Sequence, residues 1–188
     1  MMKNSFSEML GQLELLIPDL ARQHILQRFN HTGYRFKTDG SVVTEADTAM
    51  QQAVMDALQQ RWPAYQLLGE EMSDADQQTM LQADKAGLWV LDPLDGTSNF
   101  ASGIPVFSTS IALVVQGEIQ LGLIYDPVHN ECFSAIRGQG ARLNGQPLEL
   151  RDERTTLDHC IAQIDMNRLP DSMAVKIAAQ HPFASQRN

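Results

Sequence analysis

The sequence is poor in cysteine and has no long apolar run. Its two cysteines, Cys132 and Cys160, are widely spaced among 188 residues, so they predict neither a zinc site nor a disulfide framework. No stretch approaches the roughly 20 apolar residues that a membrane-spanning helix needs. The first ten residues, MMKNSFSEML, do not have the pattern of a secretory signal peptide. We therefore expect a cytoplasmic protein with free thiols and no membrane partner.

Basic residues are also scarce. The chain has 14 Lys and Arg against 23 Asp and Glu, a net charge of −9, which argues against direct binding to nucleic acid because that needs a basic face. An acidic protein that binds phosphate needs a cation between the two. Hydrophobic residues make up 43% of the chain, enough to build a core and too many for a disordered segment.

Helical patterns come first in the chain. Apolar residues recur at helical spacing from Phe6 to Leu20 and predict a first helix, which Pro18 is expected to kink or restart. The stretch RFKTDGSVV reads as a loop or hairpin with Asp39-Gly40 at its turn. Thr44 then caps a second predicted helix with an apolar stripe.

Strand patterns dominate the later part. GLWVLDPLDG predicts a buried strand that breaks at Pro93, and the apolar runs on either side of Gln116-Gly117-Glu118 predict a hairpin. CIAQID and PDSMAVKIAAQ predict one more strand and one more helix. This order predicts an α+β fold, with N-terminal helices packed on a mostly antiparallel sheet. We place one domain at 1–150 and the start of a second at 151–188.

The stretch LDPLDGTSNF carries the strongest chemical signal. Asp92 and Asp95 flank a proline at the end of an apolar strand, and a sharp turn there can aim both carboxylates and the Leu94 carbonyl at one point. Mg²⁺ prefers such oxygen ligands. If the next segment is helical, the N–H groups of Gly96–Ser98 favour an anion such as phosphate. Alternatively Asp95 only caps a helix, which leaves Asp92 without a partner.

Two further acidic pairs admit a plain and a functional interpretation. Glu70-Glu71 follows the apolar run YQLLG, and it is either a solvated acidic loop or a pair that a cation neutralises. Thr44 followed by Asp47 matches the capping-box pattern. In the functional interpretation, Asp47 orients a hydroxyl group or a water molecule.

Together these segments resemble the successive signatures of the inositol monophosphatase family. Lys37 and VVTEAD, then LLGEE, then WVLDPLDGTSNF occur in that family's order and spacing, and the continuation GIPVFSTSIALVVQGEIQLGLIYDP is also similar. The resemblance covers about residues 5–165 and rests above all on DPLDGT. Asn99 is more similar to inositol monophosphatases than to relatives that act on adenosine bisphosphates or histidinol phosphate. The implied fold is the first part of a layered αβαβα sandwich.

The resemblance implies magnesium as cofactor, with manganese as a substitute. Glu70, Asp92 and the Leu94 carbonyl would bind a first ion. Asp92 would bridge to a second ion, which Asp95 also holds. Glu71 is not expected to be a ligand.

It also implies catalytic roles for Thr97, Asp47 and Glu70. Thr97 would hydrogen-bond Asp47 and position the attacking water, and Glu70 would touch a third, weaker ion through water. The N–H groups of Gly96 and Thr97 would hold the phosphate, and Lys37 would lie near the site.

The expected function is hydrolysis of inositol monophosphate or a similar sugar phosphate by a homodimer. The family's second half carries a tryptophan-aspartate motif, but neither Trp62 nor Trp89 is followed by aspartate here. We therefore expect a truncated member that is poorly active or inactive alone. Two alternatives stay open: a 3'(2'),5'-bisphosphate nucleotidase, and a non-catalytic metal-binding or interaction module.

Overall fold

The computed structural model describes residues 2–31, 33–37, 42–82, 86–149, 156, 158, 160–164, 166, 169–180 and 185–187. The chain divides into two compact units, Met1–Leu148 and Glu149–Asn188. No helix in these described ranges has both the length and the apolar character needed to cross a membrane.

Two long helices cover one face of the sheet in the first unit. Helix α1 spans Met2–His24 and helix α2 spans Glu45–Arg61, with a short 3-10 turn at Leu26–Arg28 after α1. Of the two outcomes expected at Pro18, the restart is wrong, because α1 continues past it to His24; the kink stays a prediction. Pro18 removes one helical hydrogen bond, and burial of its neighbours Ile17 and Ala21 in the core outweighs that loss.

A small hairpin leads into α2. Strand β1 (Tyr34–Phe36) pairs antiparallel with β2 (Val42–Thr44), in agreement with the hairpin interpretation. The Asp39-Gly40 turn lies outside the described residues. All three residues of β1 are exposed, whereas β2 becomes buried at Thr44, where α2 begins.

The remaining strands form a seven-stranded sheet in chain order. Its first two strands pair parallel, and every later neighbouring pair is antiparallel. Helix α3 (Asp74–Gln82) connects the parallel pair. The α+β prediction is confirmed. The strands are β3 (Gln66–Gly69), β4 (Leu88–Asp95), β5 (Ser108–Val115), β6 (Glu118–Asp126), β7 (Glu131–Ile136), β8 (Ala141–Leu143) and β9 (Gln146–Pro147).

The core lies between the sheet and the two long helices. Strands β4, β5 and β6 turn alternate residues toward α1 and α2, as expected for a sheet with one covered face. The buried side chains there include Leu13 and Ile17 of α1, Met50 and Val54 of α2, and Trp89, Leu91, Ile111, Leu113, Leu121 and Leu123 of the sheet.

Strand β4 does not end at Pro93, which corrects the predicted break. It continues to Asp95, with a shift in its pairing to β5 between Asp92 and Asp95. The bulge accommodates a residue without an N–H group, and the Pro93 carbonyl accepts a hydrogen bond from the Thr109 hydroxyl at 2.8 Å. Helix α4 (Thr97–Ala101) follows one residue later.

The hairpin between β5 and β6 is as predicted. Its turn residues Gln116 and Gly117 both have positive φ, 53° and 77°, which the primed turns of two-residue hairpins require. In the second unit, β10 (Ile161–Gln163) pairs parallel with β11 (Ser185–Arg187), and helix α5 spans Asp171–Gln180. The strand and the helix predicted there are present.

Candidate metal and phosphate site

The parallel pair β3–β4 brings two of the predicted carboxylates together. Gly69 is in register with Leu91, and the Glu70 N–H donates to the Leu91 carbonyl at 3.1 Å. Glu70 and Asp92 therefore follow aligned residues of neighbouring strands. Since parallel strands end at the same edge of a sheet, their carboxyl ends place both side chains in one region.

The electrostatics of Asp92 show how close these groups are. Burial, followed by the negative charges of Glu70 and Asp95, raises the pKa of Asp92 to about 7, and a side-chain hydrogen bond with Glu70 acts in the same direction. The Leu94 N–H, 3.1 Å from Asp92 Oδ1, opposes this rise. The three predicted carboxylates thus form a crowded negative region that a cation would relieve.

The side chains are not arranged as a finished metal site. Within the described part of the chain, no group of three or more His, Cys, Asp and Glu residues could hold a metal ion as it stands. Glu70 Oε1 is taken by the Lys37 ammonium at 3.0 Å, and the Leu94 carbonyl accepts from the Thr97 hydroxyl at 2.8 Å. The donors are nevertheless the oxygen type that Mg²⁺ binds, so the residues fit the ion in kind.

Asp47 and Thr97 meet across 50 positions of sequence. The Thr97 hydroxyl lies 3.0 Å from Asp47 Oδ1 and shares its proton between this carboxylate and the Leu94 carbonyl. Asp47 Oδ2 accepts from the Thr44 N–H at 2.8 Å and from its hydroxyl, and Thr44 caps α2 through the Ala46 N–H. Asp47 is 1% exposed. The capping box and the contact with Thr97 therefore coexist.

Gly96 shapes the turn between β4 and α4. Its φ is +89°, and a Cβ there would lie 2.9 Å from the Val106 carbonyl oxygen, so no larger residue fits without movement. Thr97 follows as the first residue of α4, and N–H groups in a first helical turn have no acceptor within the helix. The Asn99 amide donates to the Val106 carbonyl at 2.9 Å and ties the next loop to this turn.

Lys37 reaches the site from the β1–β2 hairpin. Its ammonium lies 3.0 Å from Glu70 Oε1 and 2.7 Å from Glu71 Oε1. Partial burial lowers the pKa of Lys37, but its hydrogen bonds to Glu71 and Glu70 outweigh this and leave the pKa raised. Burial also raises the pKa of Glu71 despite the opposing effect of Lys37, so the ammonium only partly offsets that burial.

The sequence analysis did not predict that Glu71 has a structural role. Its side chain is 8% exposed and pairs with Lys37, and its N–H donates to the Gln51 side chain of α2 at 2.9 Å. Glu71 thereby ties the end of β3 to Lys37, which follows β1, and to Gln51 of helix α2. Its place beside Glu70 was the only signal in the sequence, and nothing in the sequence pointed to Gln51.

A hollow lies next to the Asp95-Gly96 turn. It has a volume of about 330 Å³, and its walls include Asp95, Asn99, Phe107 and Asp126. A larger hollow of about 630 Å³ is lined mainly by apolar side chains of β5, β6 and β7. Two of the predicted site residues, Asp95 and Gly96, line the smaller hollow, and none of them lines the larger one.

The fold and this acidic corner define an α+β protein with a cluster of oxygen donors at the ends of two parallel strands. The model of the inositol monophosphatase family matches residues 17–185. The chain belongs to the inositol monophosphatase family.

Known relatives agree with this membership. A Nus factor SuhB from Pasteurella multocida is 37% identical over 118 residues, which are 63% of this chain and 42% of that protein. The Thermotoga maritima IMPase TM1415 has 27% identity and a TM-score of 0.74, covering 100% of this chain and 68% of that one. An IMPase/NADP phosphatase complexed with Mg²⁺ and phosphate has 25% identity and a TM-score of 0.72, covering 99% and 66%. The chain thus matches less than half the length of its curated relative.

Proposed function

We propose that this chain carries the carboxylate cluster of a magnesium-dependent phosphomonoesterase site, with inositol monophosphate or a similar sugar phosphate as substrate. The observation that carries the proposal is the Asp47–Thr97 contact beside the crowded carboxylates of Glu70, Asp92 and Asp95. The complex of a related IMPase/NADP phosphatase with Mg²⁺ and phosphate supports the same chemistry.

The oxygen donors have separate tasks in this proposal. Glu70, Asp92 and the Leu94 carbonyl would hold one magnesium ion, and Asp92 with Asp95 would contribute to a second. Bound magnesium supplies Lewis-acid stabilisation of phosphate oxygens and lowers the pKa of water. Lys37 holds one carboxylate oxygen of Glu70, Oε1, and the Leu94 carbonyl becomes free for the ion when the Thr97 hydroxyl donates to Asp47 instead.

Thr97 would orient the attacking water. Its hydroxyl proton is directed to Asp47 or to the Leu94 carbonyl, which leaves an oxygen lone pair to accept a hydrogen bond from water. Asp47 is buried and fixed by the Thr44 N–H and hydroxyl, so it holds Thr97 in one orientation. The N–H groups of Gly96 and Thr97 would bind the phosphate at the start of α4.

Phosphate release from myo-inositol 1-phosphate tests the proposal. The purified chain is assayed over a range of Mg²⁺ and Mn²⁺ concentrations. Adenosine 3',5'-bisphosphate and NADP serve as competing substrates for the nucleotidase alternative. The Asp92→Asn variant should lose release, and Glu118→Gln, an exposed acid elsewhere, should keep it.

The names of the curated relatives favour a second candidate, the non-catalytic metal-binding or interaction module. The relatives from Pasteurella multocida and Escherichia coli are named Nus factors. Magnesium binding without phosphate release from any of the three substrates would favour this candidate over the phosphatase.

A further inference from the structure

Lys37 holds two glutamates at once. Its ammonium lies 2.7 Å from Glu71 and 3.0 Å from Glu70, and the side chains of Glu71, Lys37 and Glu70 are 8%, 23% and 47% exposed, in that order. The pair with Glu71 is thus the shorter and the better buried. The pair with Glu70 is the more exposed and the more easily broken.

Lys37 contacts only one of the two Glu70 carboxylate oxygens, Oε1, so a cation at Glu70 competes with the ammonium through charge repulsion. A divalent cation at Glu70 would stand within a few ångström of the Lys37 charge and repel it. Glu71 offers Lys37 another partner, because the Glu71 carboxylate already binds it and the Glu71 backbone is held by Gln51. The ammonium can therefore leave Glu70 without becoming unpaired.

We infer that Lys37 is an internal counter-ion that occupies Glu70 when no magnesium ion is bound, and that it keeps only Glu71 when magnesium takes Glu70. This inference rests on the proposed function, since it takes Glu70 as a magnesium ligand. Lys37 is then a positioning residue that competes with the cation. Because it follows β1, the exposed strand of the β1–β2 hairpin, magnesium binding also loosens one attachment of that hairpin.

The inference predicts that a variant without the Lys37 charge binds Mg²⁺ more tightly than wild type. Removing a lysine next to a cation site should strengthen binding, and Lys37→Met should raise the Mg²⁺ affinity about three- to fivefold at low ionic strength, the range expected from an exposed or half-exposed ion pair. Lys37→Arg keeps the charge and should stay within about twofold of wild type. Arg35→Met removes a charge from exposed β1 without touching the glutamates, and it measures the general electrostatic effect.

Replacing Glu71, the second partner of Lys37, is expected to weaken Mg²⁺ binding. Glu71→Gln weakens the alternative partner of Lys37, so the ammonium stays on Glu70 and the Mg²⁺ affinity falls by about threefold. Glu118→Gln, which breaks an exposed pair with Arg137, is its matched control. If Lys37→Met fails to fold, Glu71→Gln still tests the inference.

Isothermal titration calorimetry of Mg²⁺ into the metal-free chain decides the question, with limited proteolysis of the β1–β2 hairpin as a second measurement. Magnesium should speed cleavage of the hairpin in wild type, and Lys37→Met should show fast cleavage without magnesium. Equal or weaker Mg²⁺ binding by Lys37→Met, beside a wild type that binds, overturns the counter-ion inference alone. A wild type that binds no Mg²⁺ overturns the magnesium part of the proposed function together with it.

Discussion

Replacing Asp92 by asparagine is expected to make the metal-free protein more stable at pH 8. Asparagine has the same shape and keeps an oxygen for the hydrogen bond from the Leu94 N–H, which Asp92 accepts at 3.1 Å. The substitution therefore removes a charge without opening a cavity. It also removes the repulsion between Asp92 and the neighbouring carboxylates of Glu70 and Asp95.

The size of the gain follows from the pKa of Asp92. Its rise from 3.8 to about 7 corresponds to roughly 4 kcal/mol at most, at about 1.4 kcal/mol per unit. Because the side chain is only partly buried, solvent screening reduces this to about 1–2 kcal/mol. A raised pKa means that the folded state binds the proton more tightly, so the stability from this group is complete below its unfolded pKa and is lost as pH rises to about 7.

Urea unfolding followed by tryptophan fluorescence measures this difference. In EDTA, Asp92→Asn should exceed wild type by about 1–2 kcal/mol at pH 8, and the difference should shrink toward pH 4. Added Mg²⁺ should stabilise wild type and not the variant, and Glu118→Gln should behave as wild type throughout. If Asp92→Asn is less stable than wild type at pH 8 in EDTA, the charge of Asp92 is already compensated and the reasoning fails.

Thr97→Ala should lower phosphate release by about 10²–10⁴-fold. Its Mg²⁺ affinity, measured by calorimetry, should stay within a few-fold of wild type. Loss of metal binding with turnover per bound ion unchanged would contradict the water-orienting role. Gly96→Ala should cost about 1–3 kcal/mol in urea unfolding, because a Cβ meets the Val106 carbonyl at 2.9 Å in a left-handed conformation. Gly117→Ala, with positive φ but open space, should cost less, and equal losses would refute the steric argument. Burial raises the pKa of the Cys132 thiol to about 11, so Cys132 should resist a thiol reagent at pH 8 until urea unfolds the chain. Peptide mapping must read the label at Cys132, because Cys160 is a second free thiol and is less buried; rapid native labelling at Cys132 would contradict this.

Local sequence patterns predicted most of the fold. Apolar residues at helical spacing predicted α1 and α2, and Gln116-Gly117 predicted the hairpin between β5 and β6. The expected restart at Pro18 and the expected break at Pro93 were wrong for a common reason. A proline weakens a helix or strand locally, but packing of the flanking residues decides whether the element continues, and that packing involves residues distant in sequence.

The local sequence also predicted one part of the candidate site, whereas contacts between distant residues determine the rest. The LDPLDG stretch alone indicated a cation site, because carboxylates at the end of an apolar run need a partner. The Asp47–Thr97 contact spans 50 positions, and no local pattern predicts it, so it was expected only from the family resemblance. The Lys37 contacts with Glu70 and Glu71, 33 and 34 positions apart, depend on where the hairpin folds back. The resemblance placed Lys37 near the site without indicating either partner.

The parallel pairing of β3 and β4 has a consequence for folding kinetics. Strand β3 lies at one edge of the sheet, and it reaches β4 only after the chain has passed through α3. Strands β5, β6 and β7 instead pair with their direct neighbours in the chain. Local pairings form early and crossovers late. Glu70 meets Asp92 only when β3 is in register, so we expect magnesium to slow unfolding strongly and to leave the refolding rate almost unchanged.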